Sequence, residues 1–356
     1  MGSKAYKALF MAIGIFSLGY MIYGTGLLVI WENINRTGIW FLPVIGSWLV
    51  IYILNALAFR AIIREPQLPE TNMSFWSVLR LTISGYAINY ITPFVALGGE
   101  PYRILELKPT LGIQKATSSV LLYSLMHMFS HVLFWLASIV LIVAVVPLSD
   151  VMLAGCGILL VVGLVLGYWF INVYKKGFTV STFRLLEKVP FIKHKAREFA
   201  LKNAENLYEV DEQIRVLYSD RRNAFYTSLF YEFAGRVIGC LEIYFTAHAI
   251  GMEMTLAQSL IVSSGSSLFA NLIFFFPMQL GTREGGLALA LRSVGLPAAQ
   301  GIFIGVVLRI REIVWIIIGL ALIGKKTKNN EMNDSEEHGN GLKPVPVHVK
   351  SSYRNN

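Results

Sequence analysis

The sequence predicts an all-α polytopic membrane protein, with about six spanning helices plus two re-entrant helical hairpins related as an inverted repeat. Three observations carry this. The 356 residues are 55% hydrophobic and only 15% charged, with a mean hydropathy of +0.57, outside the range of soluble domains. The apolar residues gather in runs near the length that a bilayer requires. One stretch, Asn89 to Arg103 (NYITPFVALGGEPYR), returns in weaker form as Asn271 to Gly286 (NLIFFFPMQLGTREGG).

In chain order the runs cover 9–31, 39–63, 78–98, 116–146, 151–172, 224–250, 259–280 and 301–323. The first is too long for a signal-peptide core and lacks a small-residue cleavage site, so it is expected to stay as a spanning anchor. If every run crossed, starting from an N-terminus held inside by Lys4 and Lys7, residues 173–223 would lie outside with eleven lysines and arginines. A loop that short obeys the positive-inside rule and belongs in the cytoplasm. The conflict disappears if 78–98 and 259–280 each enter and turn back with the stretch that follows. Lys108, Lys115, residues 173–223 and Lys325, Lys326 and Lys328 then share the cytoplasmic side with both termini, leaving Glu32, Arg36, Asp150 and Glu253 outside. The two hairpins open to opposite sides, as in an inverted repeat.

Between Lys193 and Tyr218, Leu207, Val210, Ile214 and Leu217 are spaced like one face of a helix, expected to lie on the cytoplasmic surface. The membrane domain is expected over 1–324, its halves 1–172 and 224–324 flanking the segment 173–223. Residues 325–356, poor in large apolar side chains, are expected to form a disordered cytoplasmic tail. The net charge of +9 implies no nucleic-acid partner, because the basic residues sit in inter-helix segments and the tail. Cys156 and Cys240 fall inside apolar runs and make no disulfide framework. The expected location is a bacterial-type inner (plasma) membrane.

In both copies of the repeat a Ser-Gly pair (Ser84-Gly85, Ser264-Gly265) leads to an Asn, a Pro, a Gly and a Glu. The spacing from Pro93 to Glu100 equals that from Pro277 to Glu284, and Leu111-Gly112-Ile113 is answered by Val294-Gly295-Leu296. Apolar segments broken by Gly and Pro at matching places point to a transporter's binding site. Backbone freed from helical pairing is tolerated at membrane depth only where protein or trapped water satisfies it. An ordinary interhelical loop would explain one such break; its repetition argues for hairpin breaks at Asn89, Pro93, Asn271 and Pro277.

Gly98-Gly99-Glu100-Pro101 reads as a helix start whose amides suit a phosphate, with Arg103 adding a forked donor. The alternative is that Glu100 caps its own helix. Gly281, Thr282, Arg283 and Glu284 supply the same ingredients in the second copy. Ionisable residues inside apolar runs cost roughly 2.5 to 3.5 kcal/mol each at the bilayer centre, which singles out Glu232, Arg236, Arg309, Arg311 and Glu312. Glu232/Arg236 and Arg309/Glu312 have the spacing of local ion pairs. Arg311 has no such neighbour and, with Arg103, is expected to meet an anionic headgroup. The expected substrate-binding set is therefore Gly98, Gly99, Glu100, Arg103, Gly281, Thr282, Arg283, Glu284, Arg309 and Arg311.

His127 and His131 share a helix face, but the Glu of an HExxH motif is missing, so helix packing rather than metal binding is expected. Gly319 to Lys326 (GLALIGKK) puts Lys where a phosphate loop needs Ser or Thr. No ATP site follows, and no cofactor is expected. Gly163/Gly167, Gly235/Gly239 and Gly301/Gly305 are each a GxxxG, the spacing of close helix packing.

LGGEPYR with its Leu-Gly-Ile turn and Ala116, then the later Pro, LGTREGG, Val-Gly-Leu and Arg309/Arg311, resemble the lysylphosphatidylglycerol synthase transmembrane region, a flippase-like family. The resemblance covers the layout of residues 1 to 325. In the synthases that name the family, the membrane region is associated with moving a lipid product between leaflets, and a soluble aminoacyl-transfer domain follows. Only a short polar tail follows Gly324 here, so the resemblance implies translocation without lysyl transfer. Phe276 to Gly281 stands where a Pro-Gly-Gly-like loop is expected, implying a stiffer second hairpin.

The resulting expectation is a transporter that moves an anionic phospholipid or polyprenyl-phosphate-type lipid between leaflets. Its partners are membrane lipids, and its motion is passive or ion-coupled, with Glu100 and Glu284 as proton carriers if burial raises their pKa values. Two alternatives stand: a membrane-embedded lipid-modifying enzyme using either glutamate as base, and a non-transporting partner of a lipid synthase. No aminoacyl-transferase or ATPase motif supports the enzyme.

Overall fold

In the computed structural model, residues 19, 20, 22–91, 98–177, 179, 186, 193–272 and 282–323 are described. Pro93, Pro277, Gly281, the expected tail and residues 9–18 and 21 of the first apolar run lie outside the described residues. All regular structure among the described residues is helical, as expected for an all-α polytopic membrane protein. The α-helices are α1 (Leu27–Thr37), α2 (Phe41–Ile63), α3 (Phe75–Ile91), α4 (Gly99–Val145), α5 (Asp150–Lys176) and α6 (Lys193–Lys202), followed by α7 (Ala204–Ser219), α8 (Arg222–Ala249), α9 (Leu256–Leu272), α10 (Thr282–Ser293) and α11 (Gln300–Leu322).

Local chemistry explains most boundaries. Gly26 (φ 86°) and Gly38 (φ 57°) bracket α1 in conformations that other residues avoid. Residues 32–37, which lie between the first two apolar runs, are therefore helical, since nothing between those glycines breaks a helix; Arg36 lies 4.7 Å above the Phe303 ring of α11. α2 stops at Arg64, two residues before Pro66, and the Arg221 guanidinium takes up the freed carbonyls of Ala61 (3.0 Å) and Ile62 (3.1 Å). α5 has Asp150 in its first turn, Lys175 and Lys176 in its last, and Gly177 beyond, with Ser149 accepting from Met152 N. Asn203 interrupts the expected helix between Lys193 and Tyr218, giving α6 and α7. On α7, Val210, Ile214 and Leu217 are buried where the helix packs on α4, α5 and α8.

α4 is bent rather than straight. Pro109 removes one helical donor, and Gly112 has φ 74° and ψ 166°, so residues 99–111 form a separate arm before the main helix 113–145. Gly295, its expected counterpart, also has positive φ (78°) between α10 and α11. Each repeat thus contains a first arm of 17 described residues (α3, α9), a short second arm, and a long helix after a glycine turn. A second arm such as α10, with 12 residues, spans only about 18 Å, short of the roughly 30 Å hydrocarbon core.

The packing is reciprocal. α2 lies along α8; α3 packs on α2 and α11, while α9 packs on α8 and α4. The first arm of each hairpin therefore touches the long helix of the other repeat. Three helical stretches are long and apolar enough to cross a membrane, Leu27–Ile63, Gly99–Val145 and Asp150–Lys176. α8 and α11, with 28 and 23 residues, reach about 42 and about 35 Å; both carry buried charges, and those charges mark the site.

Candidate functional site

The hairpins close by small-residue contact. A Cβ on Gly99 would lie 2.2 Å from Gly85 O, and one on Gly85 would lie 2.4 Å from Arg103 Nε. The Ser-Gly pair thus supplies the surface on which the second arm rests; Gly265 faces Ala290 in the second hairpin in the same way. At Gly301 and Gly305, Cβ atoms would fall 2.6 Å from Ala288 N and 2.8 Å from Glu284 Cγ, so that GxxxG seats α10 directly on α11. Gly235 and Gly239 face Asn55 and Ile51 of α2, where Cβ atoms would fall 3.3 and 3.7 Å away, and they also line a cavity.

That cavity, of about 310 Å³, lies where α2, α3, α4, α8, α9, α10 and α11 converge. Its charged wall contains Arg236, Arg283 and Arg311 with Glu232, Glu242 and Glu312, and it also includes His127 and His131. Two polar clusters occupy it. In one, Arg311 Nε and Nη2 donate to Glu242 Oε1 and Oε2 (2.5 and 3.0 Å), Trp48 Nε1 donates to Oε2 (2.8 Å), and the guanidinium lies 3.8 Å from the Trp48 ring centroid. Arg283 pairs with Glu312 beside it, and Arg311 Nη1 is 3.8 Å from Glu312 Oε1. A bidentate, stacked arginine of this kind is fixed in direction as well as charge.

In the other cluster, His127 Nδ1 is 2.7 Å from Glu232 Oε2 and 3.2 Å from Tyr86 Oη. Arg236 donates to Ser130 Oγ (2.9 Å) and His127 O (2.8 Å), and its Nη1 lies 2.6 Å from His131 Nε2. Ten residues separate Glu232 from Glu242 on α8, a rise of about 15 Å, so the clusters occupy different levels of the cavity.

Of the expected site residues, Arg283, Arg311 and Asn271 reach the cavity wall; Gly98, Gly99, Glu100, Arg103, Thr282, Glu284, Arg309 and Asn89 lie outside it. The phosphate cradle expected at Gly98-Gly99 is occupied by the protein itself, since Asn89 Oδ1 accepts from Gly99 N (2.7 Å). Glu100 Oε1 lies 3.4 Å from Asn89 Nδ2 and 3.5 Å from Arg103 Nη1. Arg103, 1% exposed, sits over the rings of Tyr86 (5.0 Å) and Tyr123 (5.4 Å). Arg309 Nε bonds Glu284 Oε1 on α10 (2.6 Å), and Glu312 pairs with Arg283, so the local Arg309/Glu312 spacing is not what neutralises these groups. The expected Glu232/Arg236 contact is long, at 3.9 Å.

Glu242 was missed in the sequence, although it is an ionisable residue in an apolar run, the signal that identified Glu232. Trp48, Tyr86 and Tyr90 carry no sequence signal that separates them from packing aromatics. A family model described as "Lysylphosphatidylglycerol synthase TM region" matches residues 7–320 of the chain. No curated protein and no solved structure matches.

Proposed function

Because the chain belongs to the lysylphosphatidylglycerol synthase TM region family, we propose that it is a flippase-like transporter that moves a phosphate-bearing lipid between the two leaflets of a membrane. The observation that carries this reading is a charged cavity of about 310 Å³ bounded by both repeats, inside a body whose outer helices expose Leu, Val and Ile. Arg311, Arg283 and Arg236 offer donors for a phosphate there, while acyl or isoprenyl tails remain in lipid. The three long helices between the hairpins, α4, α5 and α8, are an odd number of crossings. That supports hairpins opening to opposite compartments and access to the cavity from each side in turn.

The test is leaflet exchange of a fluorescent phosphatidylglycerol in liposomes with and without the purified protein. The reading expects exchange well above the protein-free rate. An unchanged rate across phosphatidylglycerol, phosphatidic acid and polyprenyl-phosphate probes rules it out.

A further inference from the structure

We propose that Glu232 and His127 form a proton-binding site, so that proton uptake in the cavity is coupled to movement of the first hairpin. The coupling, though not the proton site, rests on the translocation reading. Glu232 is 1% exposed in the middle of α8, and its Oε1 has no hydrogen-bond partner among the described residues. Its other oxygen shares a short hydrogen bond with His127 Nδ1, and both side chains line the cavity. A buried carboxylate with one oxygen unpaired is costly unless a proton or ligand visits it.

The surroundings fix the proton count. Arg236 can only donate, so His131 Nε2 at 2.6 Å must accept, and His131 is neutral with its proton on Nδ1. With His127 neutral and protonated on Nδ1, ionised Glu232 and Arg236 cancel. One further proton, taken from water onto Glu232 Oε1, gives a carboxylic acid and leaves the set at +1. Across the cavity, Glu242 and Glu312 are matched by Arg311 and Arg283, so that cluster adds no net charge. Tyr123 on α4 and Tyr174 on α5 are the phenols facing Glu232 besides Tyr86.

The route to the hairpin runs through Tyr86. Its Oη accepts from Asn55 Nδ2 (3.1 Å) and lies 3.2 Å from both His127 Nδ1 and Tyr123 Oη. The Arg103 guanidinium rests on the rings of those two tyrosines, and two of its nitrogens, Nε and Nη2, have no hydrogen bond among the described residues. Protonating Glu232 on Oε1 leaves His127 Nδ1–H facing a neutral acid in place of a carboxylate, a weaker acceptor, and so frees it to share its proton with Tyr86 Oη at 3.2 Å. The aromatic seat that holds the second arm of hairpin 1 changes with it. Glu100 and Glu284, the proton carriers expected from sequence, lie 3.5 and 2.6 Å from a guanidinium nitrogen, closer than the 3.9 Å between Glu232 and Arg236, so a proton there would break a tighter ion pair.

Infrared difference spectra of the full chain in phosphatidylglycerol vesicles, taken between about pH 5 and about pH 8, test the site. A carboxylic-acid band should appear on acidification, vanish in Glu232→Gln, persist in Glu100→Gln and Glu284→Gln, and shift in His127→Gln. A band that survives Glu232→Gln, or, should that variant not fold, one that is unmoved in His127→Gln, overturns the proposal. In liposomes, a transmembrane pH gradient should speed native exchange of fluorescent phosphatidylglycerol severalfold and leave Glu232→Gln unresponsive; an equal response in both overturns the coupling. If no sample exchanges lipid, the translocation reading and the coupling fail together, while the Glu232 band still decides the proton site on its own.

Discussion

At the scale of single residues, Arg311 shows why a buried charge can be read in sequence while its partner cannot. It stands out as an arginine inside an apolar run, but Glu242, which holds it, is 69 residues away on another helix. The local spacing rule therefore pairs Arg309 with Glu312, and the fold pairs Arg309 with Glu284 and Glu312 with Arg283. Removing one member of a buried pair strands the other. Arg311→Gln should cost about 3–5 kcal/mol, while replacing both partners with uncharged residues should restore most of it. Thermal unfolding of Arg311→Gln and of the double variant Arg311→Gln/Glu242→Gln in detergent checks this; a double variant no more stable than the single one contradicts it. The aromatic partners Trp48 and Tyr86 were illegible because an indole or phenol that packs and one that presents a polar atom to a cavity have the same letter and the same periodicity.

At the scale of elements, the glycine turns carry the repeat. Gly112 combines φ 74° with ψ 166°, a region that only glycine occupies at little cost, so Gly112→Ala should destabilise the protein by about 1–3 kcal/mol. Gly285→Ala is the control: it lies within helix α10 with open space around its Cβ, and no loss is expected there. Comparing the unfolding midpoints of the two variants with the native chain makes the measurement, and equal midpoints contradict the assigned turn. The match of Leu111-Gly112-Ile113 to Val294-Gly295-Leu296 was visible in sequence because only glycine tolerates such a turn, so the letter reports the backbone. The extent of α1 was not visible, because the segment Glu32 to Thr37 is polar and so falls outside the apolar runs, yet it contains no helix breaker. The break at Asn203 was not visible because the apolar spacing that predicts the helix, Leu207 to Leu217, lies wholly beyond it.

At the scale of the whole molecule, hydropathy and the repeat were enough to give an all-α membrane protein with two hairpins, because both follow from a solvent that forbids unpaired backbone. The cavity was not legible. Its walls come from seven helices, and whether Gly235 and Gly239 bring helices together or hold them apart depends on what faces them, here Asn55 and Ile51 of α2. In the proposed translocation headgroups pass through that space, and Gly239 offers direct access to it. A Cβ there meets only Ile51 Cδ1, at an ordinary 3.7 Å, and a larger side chain extends from the cavity wall. The decisive measurement is leaflet exchange in liposomes by Gly239→Trp, in a preparation that unfolds at the native temperature: the account predicts a rate reduced to that of protein-free vesicles, and exchange at the native rate would contradict it.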